Sequence, residues 1–136
     1  AIYSVEPRVV RGSNLFTADT IRVKSDRREM TGEGNVKSLL VEGDRPEDRQ
    51  YRIKSNEMQF LGNENRALYQ GDVELESEDL TVNAPELELF FTDSVGSQFD
   101  RVEASGGVVV VEGERRWTGK SAVYYRADER VVVRNN

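Results

Sequence analysis

Two of the side-chain types that carry most enzymatic chemistry are missing: the 136-residue chain has no histidine and no cysteine. Their absence removes the Ser-His-Asp triad, histidine metal sites and imidazole bases. It also removes disulfides, thiolate nucleophiles and zinc–sulfur sites. Carboxylate, lysine and tyrosine chemistry remains. Glu86 and Glu88 present paired carboxylates of the kind a glycosidase uses, but alternation puts both on the outward face of a strand with no pocket signal. Asp93, Asp100 and Glu103, or Asp44, Glu47 and Asp48, offer oxygens to a calcium ion. Neither cluster has the D-x-D-x-D-G spacing of a calcium loop, so no metal and no cofactor are expected. Gly106-Gly107 is followed by neither Lys-Ser/Thr nor a helix pattern, and reads as a bend, not a phosphate loop. The chain is therefore expected not to be an enzyme.

The elements that would position any site are strands. Valine is the commonest apolar residue, and Val, Leu, Phe and Ile together make 35 of the 136 residues, enough for one folded domain over 1–136. β-Branched side chains suit a pleated, half-buried surface. The pairs Phe16/Ala18, Ile21/Val23, Met58/Phe60, Val73/Leu75, Leu87/Leu89 and Val131/Val133 alternate with polar partners, the period of a strand with one buried face. No stretch sustains a helical stripe, so little or no helix is expected. Turn signals at 24–28, 62–66, 113–115 and 127–129 interrupt the alternation, and Gly43–Gln50 reads as a solvated loop. With 25 acidic and 19 basic side chains the net charge is −6, which argues against nucleic-acid binding. No apolar run reaches the 18 residues of a helical membrane span. The chain opens Ala1-Ile2-Tyr3 without a visible signal peptide or an initiator methionine, and reads as a processed or excised piece.

An internal repeat is the most specific feature. Four segments share the spacing apolar-x-small-x-x-apolar-x-apolar: Phe16-x-Ala18-x-x-Ile21-x-Val23, Ile53-x-Ser55-x-x-Met58-x-Phe60, Val82-x-Ala84-x-x-Leu87-x-Leu89 and Trp117-x-Gly119-x-x-Ala122-x-Tyr124. Three are followed by Gly34-Asn35-Val36, Gly71-Asp72-Val73 and Gly106-Gly107-Val108, the third after an insertion at Asp93–Gln98. The three-residue step after each small residue adds one residue to strict alternation. That is the signature of a β-bulge or corner, with a side chain small enough to sit inside the bend. Consecutive antiparallel strands folded into two facing sheets are the expected result. Parity then makes Phe16, Ile21, Val23, Val36, Met58, Phe60, Val73, Leu87, Leu89, Val108, Trp117 and Tyr124 part of one inward apolar lining, with Lys54, Glu57, Glu74, Glu86 and Glu88 outward. Any one of these residues also reads as plain sandwich core, and Trp117 and Tyr124 as either core or interfacial aromatics.

Phe16-Thr17-Ala18-Asp19-Thr20-Ile21 followed by Gly34-Asn35-Val36, with weaker copies at Ser55–Met58, Gly71–Val73 and Gly119–Ala122, resembles the OstA-like domain of bacterial lipopolysaccharide-transport proteins. The likeness covers nearly all of 15–134 and is greatest to the soluble LptA-like periplasmic bridge component. It implies an all-β, open-ended antiparallel β-jellyroll (a β-taco) built from four stacked units and located in the periplasm. It further implies a groove that shelters the acyl chains of lipopolysaccharide lipid A, so that the twelve inward residues above become a lipid-binding groove. The implied partners are lipopolysaccharide, further copies or other OstA-like domains joined end to end through the terminal strands, and inner- and outer-membrane transport components. An apolar lining suits this role, since each buried CH₂ contributes about 0.8 kcal/mol. The acidic balance predicts that acyl chains, not phosphates, are recognised. Two other functions fit the residues: a β-repeat scaffold that assembles through its edge strands without lipid, and a carbohydrate-binding β-domain. The latter needs a row of exposed aromatics that the spacing does not supply.

Overall fold

The computed structural model describes residues 2–3, 8–11, 14–24, 29–41, 50–78, 80–92, 99–128 and 130–135. The predicted Gly43–Gln50 loop (apart from Gln50), the Asp93–Gln98 insertion and turn residues 25–28 lie outside them, as do the calcium candidates Asp44, Glu47, Asp48 and Asp93. Among the described residues eleven strands form: β1 (Ile2–Tyr3), β2 (Arg8–Arg11), β3 (Asn14–Thr17), β4 (Thr20–Lys24), β5 (Glu29–Val41), β6 (Gln50–Leu61), β7 (Arg66–Ser77), β8 (Leu80–Phe91), β9 (Phe99–Glu112), β10 (Arg115–Tyr125) and β11 (Arg130–Arg134). The helix content of the described residues is one 3-10 turn, Gly62–Glu64, closed by Asn65 in the left-handed conformation.

Where two sheets were expected there is one. The strands run antiparallel in the order β1-β4-β5-β6-β7-β8-β9-β10-β11, with β3 joining β5 beside β4 and β2 pairing β3. The reason is strand length. β5 to β9 are 12 to 14 residues long, so each crosses the corner that spacing had marked and serves both sides of it. The corner appears as register shifts between Glu33 and Val36, Lys54 and Glu57, Gln70 and Val73, Asn83 and Glu86, and Gly119 and Ser121. On the outgoing strands the small residues Ser55, Ala84 and Gly119 sit at these shifts. On the returning strands Gly34-Asn35, Gly71-Asp72 and Gly106-Gly107 all have positive φ, a conformation that Gly, Asn and Asp reach at least cost.

The bulges line up and divide the sheet into two leaves. The first contains 20–24, 29–33, 57–61, 66–70, 86–91, 99–105, 121–125 and 130–134; the second contains 8–11, 14–17, 36–41, 50–55, 73–77, 80–84, 108–112 and 115–119. At the N-terminal end the fold line leaves the strands, and the Asp19 N–H donates to Gly34 O at 2.7 Å between β3 and β4. The strand order is linear and does not return on itself, so the stack is open-ended. The outer faces carry ion pairs such as Arg52–Glu76, Arg66–Glu88 and Arg101–Glu103. Pairs this exposed contribute roughly 0–1 kcal/mol each, so the fold rests on its inner face.

Candidate functional site

The inner faces of the two leaves meet along a seam filled by one continuous apolar cluster. Ten of the twelve predicted groove residues are buried in it: Phe16, Ile21, Val36, Met58, Phe60, Val73, Leu87, Leu89, Val108 and Tyr124. Val23 packs against it half-buried. Trp117, for which both a core and an interfacial place were open, is 37% exposed. Its parity is inward, because it lies directly opposite the buried Val110. It is uncovered because β11 pairs only with residues 121–125 of β10, which leaves 115–119 as an edge.

Cross-seam contacts are made by residues far apart in sequence. Tyr51 of the second leaf meets two aromatics of the first: Phe99 edge-on, with ring centroids 4.8 Å apart, and Tyr124 at 5.9 Å. The Tyr51 and Tyr124 hydroxyls are 3.0 Å apart and share a buried hydrogen bond. All three lie toward strand ends away from the fold line, so they close the mouth of the folded sheet. Nearer the fold line, Tyr69 of the first leaf donates to Ser38 Oγ of the second at 2.9 Å. Burial pushes the Tyr69 phenol well above its ordinary range and the Ser38 bond opposes this, so the group stays neutral. Among the described residues, the backbone hydrogen bonds run between neighbouring strands or within turns, and none joins leaf to leaf. Side-chain packing and a few hydroxyls hold the seam shut.

Alternation missed several seam residues. Tyr51 and Leu40 extend the parity of Ile53 and Val36, and were legible by continuing the count outward; Phe91 likewise continues Leu87 and Leu89. Phe99 was not, because a further register shift between Phe90 and Phe91 separates it from the regular ladder. Ser77 is buried on the same inner parity, and its hydroxyl finds no partner among the described residues. Glu86 and Glu88 stand on the outer face, where Glu88 accepts a 2.6 Å bond from Arg66. No group of metal-ligating side chains comes together among the described residues.

The Tyr69–Ser38 bond gives a direct measure of how dry the seam is. Ser38→Ala is expected to cost about 1–3 kcal/mol, because it strands a buried phenol hydroxyl. Adding Tyr69→Phe is expected to recover part of that loss, since the double variant leaves neither partner unsatisfied. Urea unfolding of the two single variants and the double checks this; additive costs would mean that water reaches the seam.

Comparison with known proteins places this geometry. The family model described as LptA/(LptD N-terminal domain) LPS transport protein matches residues 52–136, well over half of the chain. Among solved structures, the fold is similar to that of LptH, the LptA-homologous periplasmic component of the lipopolysaccharide transport device of Pseudomonas aeruginosa. The TM-score is 0.72 at 13% identity, covering 92% of this chain and 84% of that one. Among curated proteins, no sequence relative matches.

Proposed function

The chain belongs to the LptA/LptD N-terminal-domain family of lipopolysaccharide-transport proteins, and we propose that its seam shelters the lipid A acyl chains of lipopolysaccharide in the periplasm. On this reading it is a non-enzymatic module that joins other jellyroll domains through its terminal strands, between inner- and outer-membrane components. One observation carries the proposal: a continuous apolar inner face lines two leaves that, among the described residues, no backbone hydrogen bond ties together. Leaves held by side chains alone part without breaking a single ladder. An acyl chain entering the seam then exchanges one apolar contact for another, and each CH₂ sheltered from water contributes about 0.8 kcal/mol. A carrier needs binding of this kind, with affinity from area and no chemical step.

Photo-crosslinkers at Leu89 and Val108, with Glu74 on the outer face as control, test this in cells that make lipopolysaccharide. Adducts from the two inner positions and none from Glu74 are expected. A folded protein that crosslinks lipid from no inner position would falsify the reading. The lipid-free scaffold remains the second reading, favoured by one specific feature: the seam is filled by its own side chains, with Ile53, Tyr69, Leu75 and Val110 fully buried. It predicts assembly that rises with concentration and is insensitive to lipid.

A further inference from the structure

Buried polar side chains are few among the described residues, and all but one have a partner there. Asn14 accepts from the Val41 N–H at 3.0 Å, Ser55 donates to Glu57 O at 2.9 Å, and Ser38 accepts from Tyr69 at 2.9 Å. The Tyr51 and Tyr124 hydroxyls bond each other at 3.0 Å. The exception is Ser77, 3% exposed, whose hydroxyl has no hydrogen-bond partner among the described residues. A hydroxyl carries a donor hydrogen and acceptor lone pairs, and leaving them unused away from water is costly. Native interiors seldom carry that cost. In a seam that satisfies its other hydroxyls, an orphan marks a place where something else completes the bond.

The position of Ser77 says what that is. Val73, Leu75 and Ser77 alternate along one face of β7, from the register shift at Gln70/Val73 to the last residue of the strand. Val73 and Leu75 belong to the buried apolar cluster, so this face is the seam wall, and Ser77 stands on it at the mouth. Directly opposite lies Leu80, a member of the same cluster. On the other flank, the register of the Arg52–Glu76 pair brings Tyr51 alongside Ser77, and the Tyr51 hydroxyl is already bonded to Tyr124. The wall between Ser77 and the corner carries no charged side chain. A charged ligand group is therefore disfavoured there, whereas a neutral hydroxyl both donates and accepts.

We propose that Ser77 is a specificity-determining residue of the seam, and that its hydroxyl bonds a hydroxyl group carried near the head of an acyl chain. The proposal rests on the sheltering reading above and deepens it by naming the class of chain. A chain that enters tail-first lays its tail against Leu75 and Val73 and leaves its first carbons at the level of Ser77. A hydroxyl on those carbons loses its water on entering the seam and finds Ser77 in exchange, while Ser77 gains the partner it lacks. An unsubstituted chain leaves Ser77 as it was. A hydroxyl at the far end of the tail is carried to the corner, where the side chains of Val36 and Val73 offer it no bond.

Isothermal titration with tetradecanoate, β-hydroxytetradecanoate and ω-hydroxytetradecanoate, each below its micellar concentration, tests this with chain length and charge held constant. The β-hydroxy acid is expected to bind about ten-fold more tightly than tetradecanoate, equivalent to about 1.4 kcal/mol and within the net range of a single hydrogen bond. The ω-hydroxy acid is expected to bind more weakly than either. Ser77→Ala is expected to abolish the preference for the β-hydroxy acid without weakening tetradecanoate. The same variant is expected to raise the urea midpoint of the lipid-free protein, because it removes an unsatisfied hydroxyl and leaves the methyl-sized space filled. A lowered midpoint overturns the proposal, since the hydroxyl then has a partner, such as a buried water, in the empty protein. Equal affinities of the unaltered protein for tetradecanoate and the β-hydroxy acid also overturn it, and leave the sheltering seam intact. Binding of none of the three acids overturns the sheltering seam and the role of Ser77 together.

Discussion

Phe60→Ala is expected to lower the unfolding free energy by about 3–5 kcal/mol, the usual cost of removing a buried aromatic ring. Phe60 is 1% exposed. It lies between Met30 and Ala67 in the ladder and packs edge-on against Phe91 at 5.6 Å. The strand pairs on both sides fix the backbone, so the vacated space has little freedom to collapse and the cavity contribution stays large. A urea midpoint well below that of the unaltered protein, with an unchanged slope, is the measured sign. The same variant also probes function. If acyl chains occupy the seam, adding lipid A restores part of the lost stability, because a ligand bound only by the folded state stabilises it in proportion to occupancy. A loss under 1 kcal/mol would show the seam to be looser than its burial indicates.

Gly71→Val is the second large effect, and it acts on the fold line instead of the seam. Gly71 has φ +86, and a Cβ there would stand 2.6 to 3.0 Å from Nδ2, Cβ and Cγ of Asn56 on the neighbouring strand. The positive φ costs a branched residue about 1–3 kcal/mol, and the crowding adds a comparable amount. The total is expected to reach about 2–6 kcal/mol. Gly107→Val separates the two contributions: Gly107 has φ +100 but nothing within 4 Å of an added Cβ, so it should show the conformational part alone. Thermal melts of both variants measure the difference. Equal losses would mean that contact with Asn56 plays no part in making the corner.

The corner was legible in the sequence because its causes are local. An extra residue in a period of two announces a bulge at Ser55, Ala84 and Gly119, and a Gly followed by Asn, Asp or Gly announces the paired positive-φ residues of the returning strand. Inward parity was equally local, which is why ten of the twelve residues assigned to the inward lining lie in one buried cluster. Trp117 shows where that reasoning stops. Its parity was right, but its exposure depends on how far β11 extends along β10, and no spacing around residue 117 encodes the reach of a strand that starts at Arg130.

By itself, the sequence determined the strands, their faces, the line along which they bend and the all-β class. Each of these follows from steric preferences and alternation acting over a few residues. The tertiary structure alone decided that a single folded sheet replaces two separate ones, that Tyr51 closes the mouth against Tyr124 from 73 positions away, and that the seam ends open at Trp117. Contacts across a seam join residues by shape and volume with no fixed interval along the chain, so they become visible only once the leaves have been brought face to face.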